Sequence, residues 1–126
     1  MTAANPAASG WIPAKQFIAG EWREGRSEKT LPDTNPFTGE ELLSLPLASI
    51  EDLNDAYESA REAQHEWAAT PPAERRRILE RAAEILDERR DEIAAWLAAE
   101  SGSTVVKASL EIDSAIGITR EASACA

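Results

Sequence analysis

A chain of 126 residues with a net charge of −10 is one domain or part of one, and its ordinary apolar content makes it globular rather than disordered throughout. That acidity argues against a nucleic-acid or anionic-membrane partner, since both need clustered positive charge. A single cysteine, Cys125, and a single histidine, His65, exclude an intrachain disulfide and a Cys/His zinc cluster.

Residues 1–14 are small, polar and proline-containing, and read as a flexible tail. No basic segment there leads into an apolar one, and no apolar run approaches the ~20 residues that span a bilayer, so the cytoplasm is the expected location. Gln16-Phe17-Ile18 and Glu21-Trp22-Arg23 flank Ala19-Gly20 and predict a hairpin turning at the glycine. Residues 25–27 make a second turn, and residues 29–31 a strand stopped by Pro32. Residues 33–40 are rich in side chains that bond their own backbone or supply positive φ, which predicts a turn. Residues 41–47 alternate weakly and carry Pro46, which suits an edge strand.

Ser49 opens the first helix, with Asp52 placed as its capping-box partner. The face of this helix is Leu53, Ala56, Tyr57, Ala60, Ala63, Gln64 and Trp67. Residues 70–100 dominate the second half of the chain and read as one long helix, bent once. Thr70 is placed to cap it and Pro71 to sit in its first turn. Ile78, Leu79, Ala82, Ile85, Leu86, Ile93, Trp96 and Leu97 recur at the spacing of one helical face. The charged run at residues 87–92 interrupts that stripe and predicts a kink or short break. Ser101-Gly102-Ser103 ends the helix, and Ser103 is the expected cap of a third, over residues 104–122. Val105, Ala108, Ile112, Ile116 and Thr119 lie on one side of it. The fold class is therefore α+β, with short N-terminal β hairpins followed by three long helices.

Clusters that carry chemistry are few. In the cluster of Arg75, Arg76, Arg77 and Arg81, the last three are spaced to pair with Glu80 and Glu84 on a solvated face, which is a better account than a phosphate patch. His65-Glu66 begins the zinc-protease helix motif, but Ala69 stands where its second histidine belongs. Neither a G-x-G-x-x-G nor a Walker loop is present. Residues 100–104 precede a helix N-terminus, a place that can hold an anion, although a helix stop and restart is the better account of them. Cys125 has nothing near it in sequence that would lower its pKa. No catalytic, cofactor-binding or metal residue is assigned.

The order of the features resembles the opening of the aldehyde dehydrogenase superfamily. The residues that carry this are Phe17-Ile18-Ala19-Gly20-Glu21-Trp22 and Asn35-Pro36-Phe37-Thr38-Gly39-Glu40. An Ala-rich helix ending at Trp67 comes next, then Pro72-Ala73-Glu74-Arg75 with Ile78-Leu79. Glu100-Ser101-Gly102-Ser103-Thr104, with Lys107, Ala108 and Glu111, is most similar to the benzaldehyde and vanillin dehydrogenase branch. Together the matches cover about residues 16–123.

The resemblance implies an α/β enzyme that oxidises aldehydes to acids with NAD or NADP. In that family a cysteine thiolate attacks the aldehyde, hydride passes to the nicotinamide, and a glutamate activates the water that releases the acid. Residues 15–126 then correspond to an incomplete N-terminal part of the cofactor domain. The nucleophile, the general base and the cofactor loop lie in no stretch matched here, so the expectation is a fragment that is inactive alone and binds no cofactor. It would self-associate or pair with the remainder of the enzyme. In some relatives residues at the places of Thr34 and Glu100 help hold a structural cation. The reading from another class is a non-catalytic helical interaction module.

Overall fold

The first sheet is decided by its two-residue turn. In the computed structural model, which describes residues 15–125, Ala19 has φ 55° and Gly20 φ 81°. Positive φ at both central residues is the mirror-image turn whose twist matches that of paired strands. It joins β1 (Gln16–Ile18) to β2 (Glu21–Arg23), with Phe17 opposite Trp22 and their ring centroids 5.1 Å apart. Ile18 is turned inward and buried. The tail read at residues 1–14 lies outside the described residues.

A second antiparallel pair joins β3 (Thr30–Thr34) and β4 (Glu41–Pro46). Here the structure corrects the expected stop at Pro32, because β3 runs through it, opposite Ser44. The backbone N–H of Leu47 donates to the Lys29 carbonyl at 2.9 Å. Counting alternately from there, Pro32 and Pro46 fall at the positions where a strand makes no ladder bond. Neither proline therefore removes one. The turn after β3 is built locally: Asn35 Oδ1 accepts from the N–H groups of Phe37 (2.9 Å) and Thr38 (3.2 Å). Gly39, at φ 74°, closes it with an N–H to the Asn35 carbonyl at 2.8 Å.

Helix α1 (Ile50–Ala69) starts at a reciprocal cap, as expected. Ser49 Oγ accepts from Asp52 N–H at 3.1 Å, and Asp52 Oδ2 accepts from Ser49 N–H at 3.0 Å. Thr70, in contrast, does not cap the next helix. It ends α1, donating its hydroxyl to the Glu66 carbonyl at 2.9 Å. The reason lies in the two prolines: each pushes the residue before it out of the helical region, leaving Thr70 at ψ 130° and Pro71 at ψ 140°. Helix α2 (Pro72–Glu88) thus begins with no side-chain cap.

The long helix is in fact two, so the described residues hold four helices rather than three. Arg89, at φ −99° and ψ 15°, separates α2 from α3 (Arg90–Ser101), inside the charged run that predicted a break. The ladder survives the bend, since Arg89 N–H reaches Ile85 and Ile93 N–H reaches Arg89, both at 3.0 Å. Helix α4 (Val105–Ala124) comes last, capped by Thr104, whose Oγ1 accepts from Lys107 N–H; Ser103 does not take that role.

The core forms where α4 crosses α2 and α3. Ala83, Ile112 and Ile116 are buried together, with Leu86, Ile93, Ala94 and Leu97 packed around them. Ala108, Trp96 and Ala99 are buried as well. Helix α1 stands apart from this core. Its single buried side chain is Asp52, and Leu53, Tyr57 and Trp67 remain exposed along the face that the sequence predicts to pack.

Two substitutions test these assignments. Ala19→Asn should stabilise the chain by about 1 kcal/mol in urea unfolding, because Asn tolerates the left-handed region and Ala does not. Gly25→Ala should destabilise it by roughly 1–3 kcal/mol, since a Cβ there would strike the Leu47 carbonyl and the Gln16 amide.

Candidate functional site

The two stretches that carry the family resemblance meet in space. Helix α3 ends at Gly102, at φ 63°, and the Leu97 carbonyl accepts from both Gly102 N–H and Ser103 N–H. A Cβ on Gly102 would sit 3.3 Å from the Pro36 ring. Glycine is favoured there by its backbone angle, and a side chain would also crowd that ring. The Asn35 turn and the Ser101-Gly102-Ser103 turn are thereby neighbours.

Beside that contact lies a carboxylate pair. A bulge between Asp33 and Thr34 shifts the register of β3, and Asp33 Oδ2 is buried with no N–H or hydroxyl donor on it. Glu100, at the end of α3, faces Asp33. Loss of water around the Glu100 carboxyl, and then the like charge of Asp33, raise its pKa above the usual range. Such a pair can share a proton, or offer hard oxygen donors to a cation. Of the two places that the resemblance marks, the structure brings Glu100 to this pair, while the Thr34 side chain is exposed and Asp33 stands in its stead. Among the described residues no group of three or more His, Cys, Asp or Glu side chains is placed so that it could hold a metal ion.

A second polar cluster fastens the hairpins to α1. Asp52 is fully buried and accepts from Arg26 N–H at 2.8 Å as well as from Ser49. The Arg23 guanidinium spans Asp52 at 3.4 Å and Asp55 at 3.0 Å, and Arg26 also donates to Asp55. Hydrogen bonds from the backbone N–H groups of Arg26 and Ser49 hold the Asp52 carboxyl below its usual pKa. For Asp55 the arginine side chains, Arg26 first, do the same. The Asp52 part of this cluster was legible as a cap. The arginines were not, because they lie in a different element.

The remaining residues singled out by sequence are scattered. His65 and Cys125 are exposed, on α1 and just beyond α4, and share no site. Arg81 pairs with Glu84 and Glu88, at 3.0 and 2.9 Å, as a salt-laced helix face should. Arg77, however, pairs back to Glu74 at 3.4 Å rather than forward to Glu80. Arg76 crosses to α4 and donates to the Ser123 carbonyl at 3.3 Å, because it sits on the side of α2 that faces that helix. At the start of α4, Lys107 Nζ bridges Ser103 Oγ at 3.2 Å and Glu111. The residues of that helix start are thus satisfied internally.

This arrangement, two hairpins whose second turn abuts the α3–α4 turn, is the opening of a known architecture. The profile of the aldehyde dehydrogenase family matches residues 22–126, and the chain belongs to that family. A vanillin dehydrogenase of Corynebacterium glutamicum is 50% identical over 107 residues, which cover 85% of this chain and 22% of that enzyme. Benzaldehyde dehydrogenase YfmT of Bacillus subtilis is 37% identical, over 86% of this chain and 22% of its own length. The crystal structure of a NAD-dependent benzaldehyde dehydrogenase from C. glutamicum superposes with a TM-score of 0.88 at 48% identity. It aligns with 91% of this chain, which spans 25% of it. The chain therefore corresponds to about a quarter or less of the length of these relatives. Their names fall in the branch that residues 100–111 resemble.

The carboxylate pair makes a prediction with a definite sign. Because the folded-state pKa of Glu100 is raised, its penalty is present once pH exceeds that value and vanishes below the ordinary carboxylate range. Glu100→Gln should thus raise the thermal midpoint near neutral pH, and the gain should disappear as pH falls through the carboxylate range. A gain that is constant with pH would mean that charge is not its cause.

Proposed function

We propose that this chain is the N-terminal part of the cofactor domain of an NAD(P)-dependent aldehyde dehydrogenase acting on aromatic aldehydes, and that it is inactive by itself. The observation that carries the reading is the two-sidedness of α4. Ala108, Ile112 and Ile116 recur every fourth residue and are buried against α2 and α3. Val106, Leu110 and Ile118 form a second stripe offset by two residues, about 200° around a helix, and are 71%, 61% and 69% exposed. A helix apolar on both sides belongs in the interior of a larger protein. The relatives are nearly four times as long as this chain, long enough to supply such an interior.

The chain's own residues serve as scaffold. Its one thiol, Cys125, is exposed just past the end of α4. Pyrophosphate recognition needs a glycine turn leading from a strand into a helix, and no described strand feeds one. In a complete enzyme of the family the nicotinamide takes the hydride; here α2, α3 and α4 would provide packing for the sheet that carries it. We place the chain in the cytoplasm on its acidity; no helix of the described residues is long and apolar enough to cross a membrane.

Two measurements test this. Purified chain with benzaldehyde or vanillin and NAD should produce no NADH, and calorimetric titration with NAD should show no saturable site. Turnover that scales with pure protein and survives Cys125→Ser would overturn the reading. Sedimentation should show mass rising with concentration, because the outer stripe of α4 and the open face of α1 seek cover. Leu110→Glu with Ile118→Glu should lower that association. A monomer at every concentration, with a cooperative melt, would favour the interaction-module reading.

A further inference from the structure

Helix α1 is fastened at one end. Along its length, Asp52 is the one buried side chain, and its main packing among the other elements is against β1. From residue 60 to residue 69 the helix is open to water, with no buried position. Between α1 and α2 lies an open groove, with Tyr57, Ala60 and Trp67 on one wall and Ile78 on the other. The attitude of α1, and with it the width of this groove, is thus set near residues 49–55.

What holds that end is polar. Asp52 takes hydrogen bonds from Arg26 N–H and Ser49 N–H, and Arg23 and Arg26 both reach Asp55. The outer half of this clamp is open to water, with Arg26 and Asp55 side chains 50% and 40% exposed. Arg23 Nε is buried without an acceptor, which weakens the closed state. A clamp of this kind specifies orientation more than it contributes stability. Salt weakens its exposed outer half and acid can release it, whereas the apolar core of α2, α3 and α4 responds to neither in the same way.

We propose that α1 is a hinged arm, held against the hairpins by the clamp of Arg23, Arg26, Asp52 and Asp55. Opening the clamp swings the helix away from α2 and widens the groove, while α2, α3 and α4 stay folded. The hinges are the extended residues at either end, Ser49 at ψ 172° and Thr70 with Pro71 at ψ 130° and 140°. Charged groups facing the two aspartates are Arg23 from β2 and Arg26 from the loop after it, with Glu51 on α1 itself; β1 contributes none. Both aspartates have lowered pKa values, so the clamp is complete above the ordinary carboxylate range and is lost as pH falls through their folded-state values. The device is independent of the enzymatic reading, because it concerns only contacts within this chain.

Hydrogen exchange read by mass spectrometry tests it, with α4 as the internal reference. The clamped first turn is what anchors α1, and an isolated helix of this length is marginal in water once that anchor is released, so release appears as lost amide protection. In Asp55→Ala, exchange over residues 56–68 should rise roughly tenfold or more, while residues 107–122 change little. Arg26→Gln should do the same, and the double variant Arg26→Gln with Asp55→Ala should lose less than the sum of the two, since the Arg26–Asp55 pair is counted in both. High salt should reproduce the effect in the parent protein and add little in the variants. Unchanged protection in α1, additive losses, or loss across α4 together with α1 would each overturn the proposal.

Discussion

The crossing of α4 over α2 and α3 is the contact on which the rest depends. Ala83 and Ala108 are small enough to bring backbones close, and Ile112 and Ile116 fill the space between them. Dense packing of this kind is the main favourable term available to a chain this short. It also fixes the end of α3, and through α3 it fixes Glu100 and Gly102. The Asn35 turn then has a surface to rest on, with the Pro36 ring against Gly102. One apolar crossing thus places a polar junction at the far side of the molecule.

The hairpins are attached differently. Neither two-stranded sheet has a broad apolar face, and Phe17, Trp22 and Leu31 are more than half exposed. Such pairs are marginal alone. They are held by directed polar contacts: the buried Asp52 carboxylate with its backbone donors on one side, and the Asp33–Glu100 neighbourhood on the other. Polar joints orient well and release readily. An apolar crossing orients too, but it does not release so readily. The molecule therefore has a stiff helical part and a more conditional layer of hairpins and α1.

Membership of the aldehyde dehydrogenase family gives this asymmetry a physical sense. On the function proposed above, the open stripe of α4, the exposed face of α1 and the bare hairpins are surfaces that a longer chain would cover, and the relatives are nearly four times as long. A helix with two apolar faces gains from burial on both. In this chain one face is satisfied and the other remains in water.

What the sequence determined was local. The Ala19-Gly20 hairpin, the Asn35 turn, the Ser49–Asp52 cap, the break near Arg89 and the Gly102 stop each depend on a few consecutive residues, so their chemistry can be read along the chain. Even the misplacement of Thr70 has a local cause, in Pro71 and Pro72, and the passage of β3 through Pro32 has one in the alternation of ladder bonds. The candidate site was legible only in halves: the Asn35 turn and the Glu100 turn were visible as motifs, but not the contact between them. Tertiary structure decided that contact, as it decided the burial of Trp96, the exposure of α1, the reach of Arg76 to Ser123 and the joining of Arg23 and Arg26 to Asp52 and Asp55. Each of these pairs residues distant in the chain, and periodicity tells which face of an element is apolar without telling what, if anything, comes to cover it.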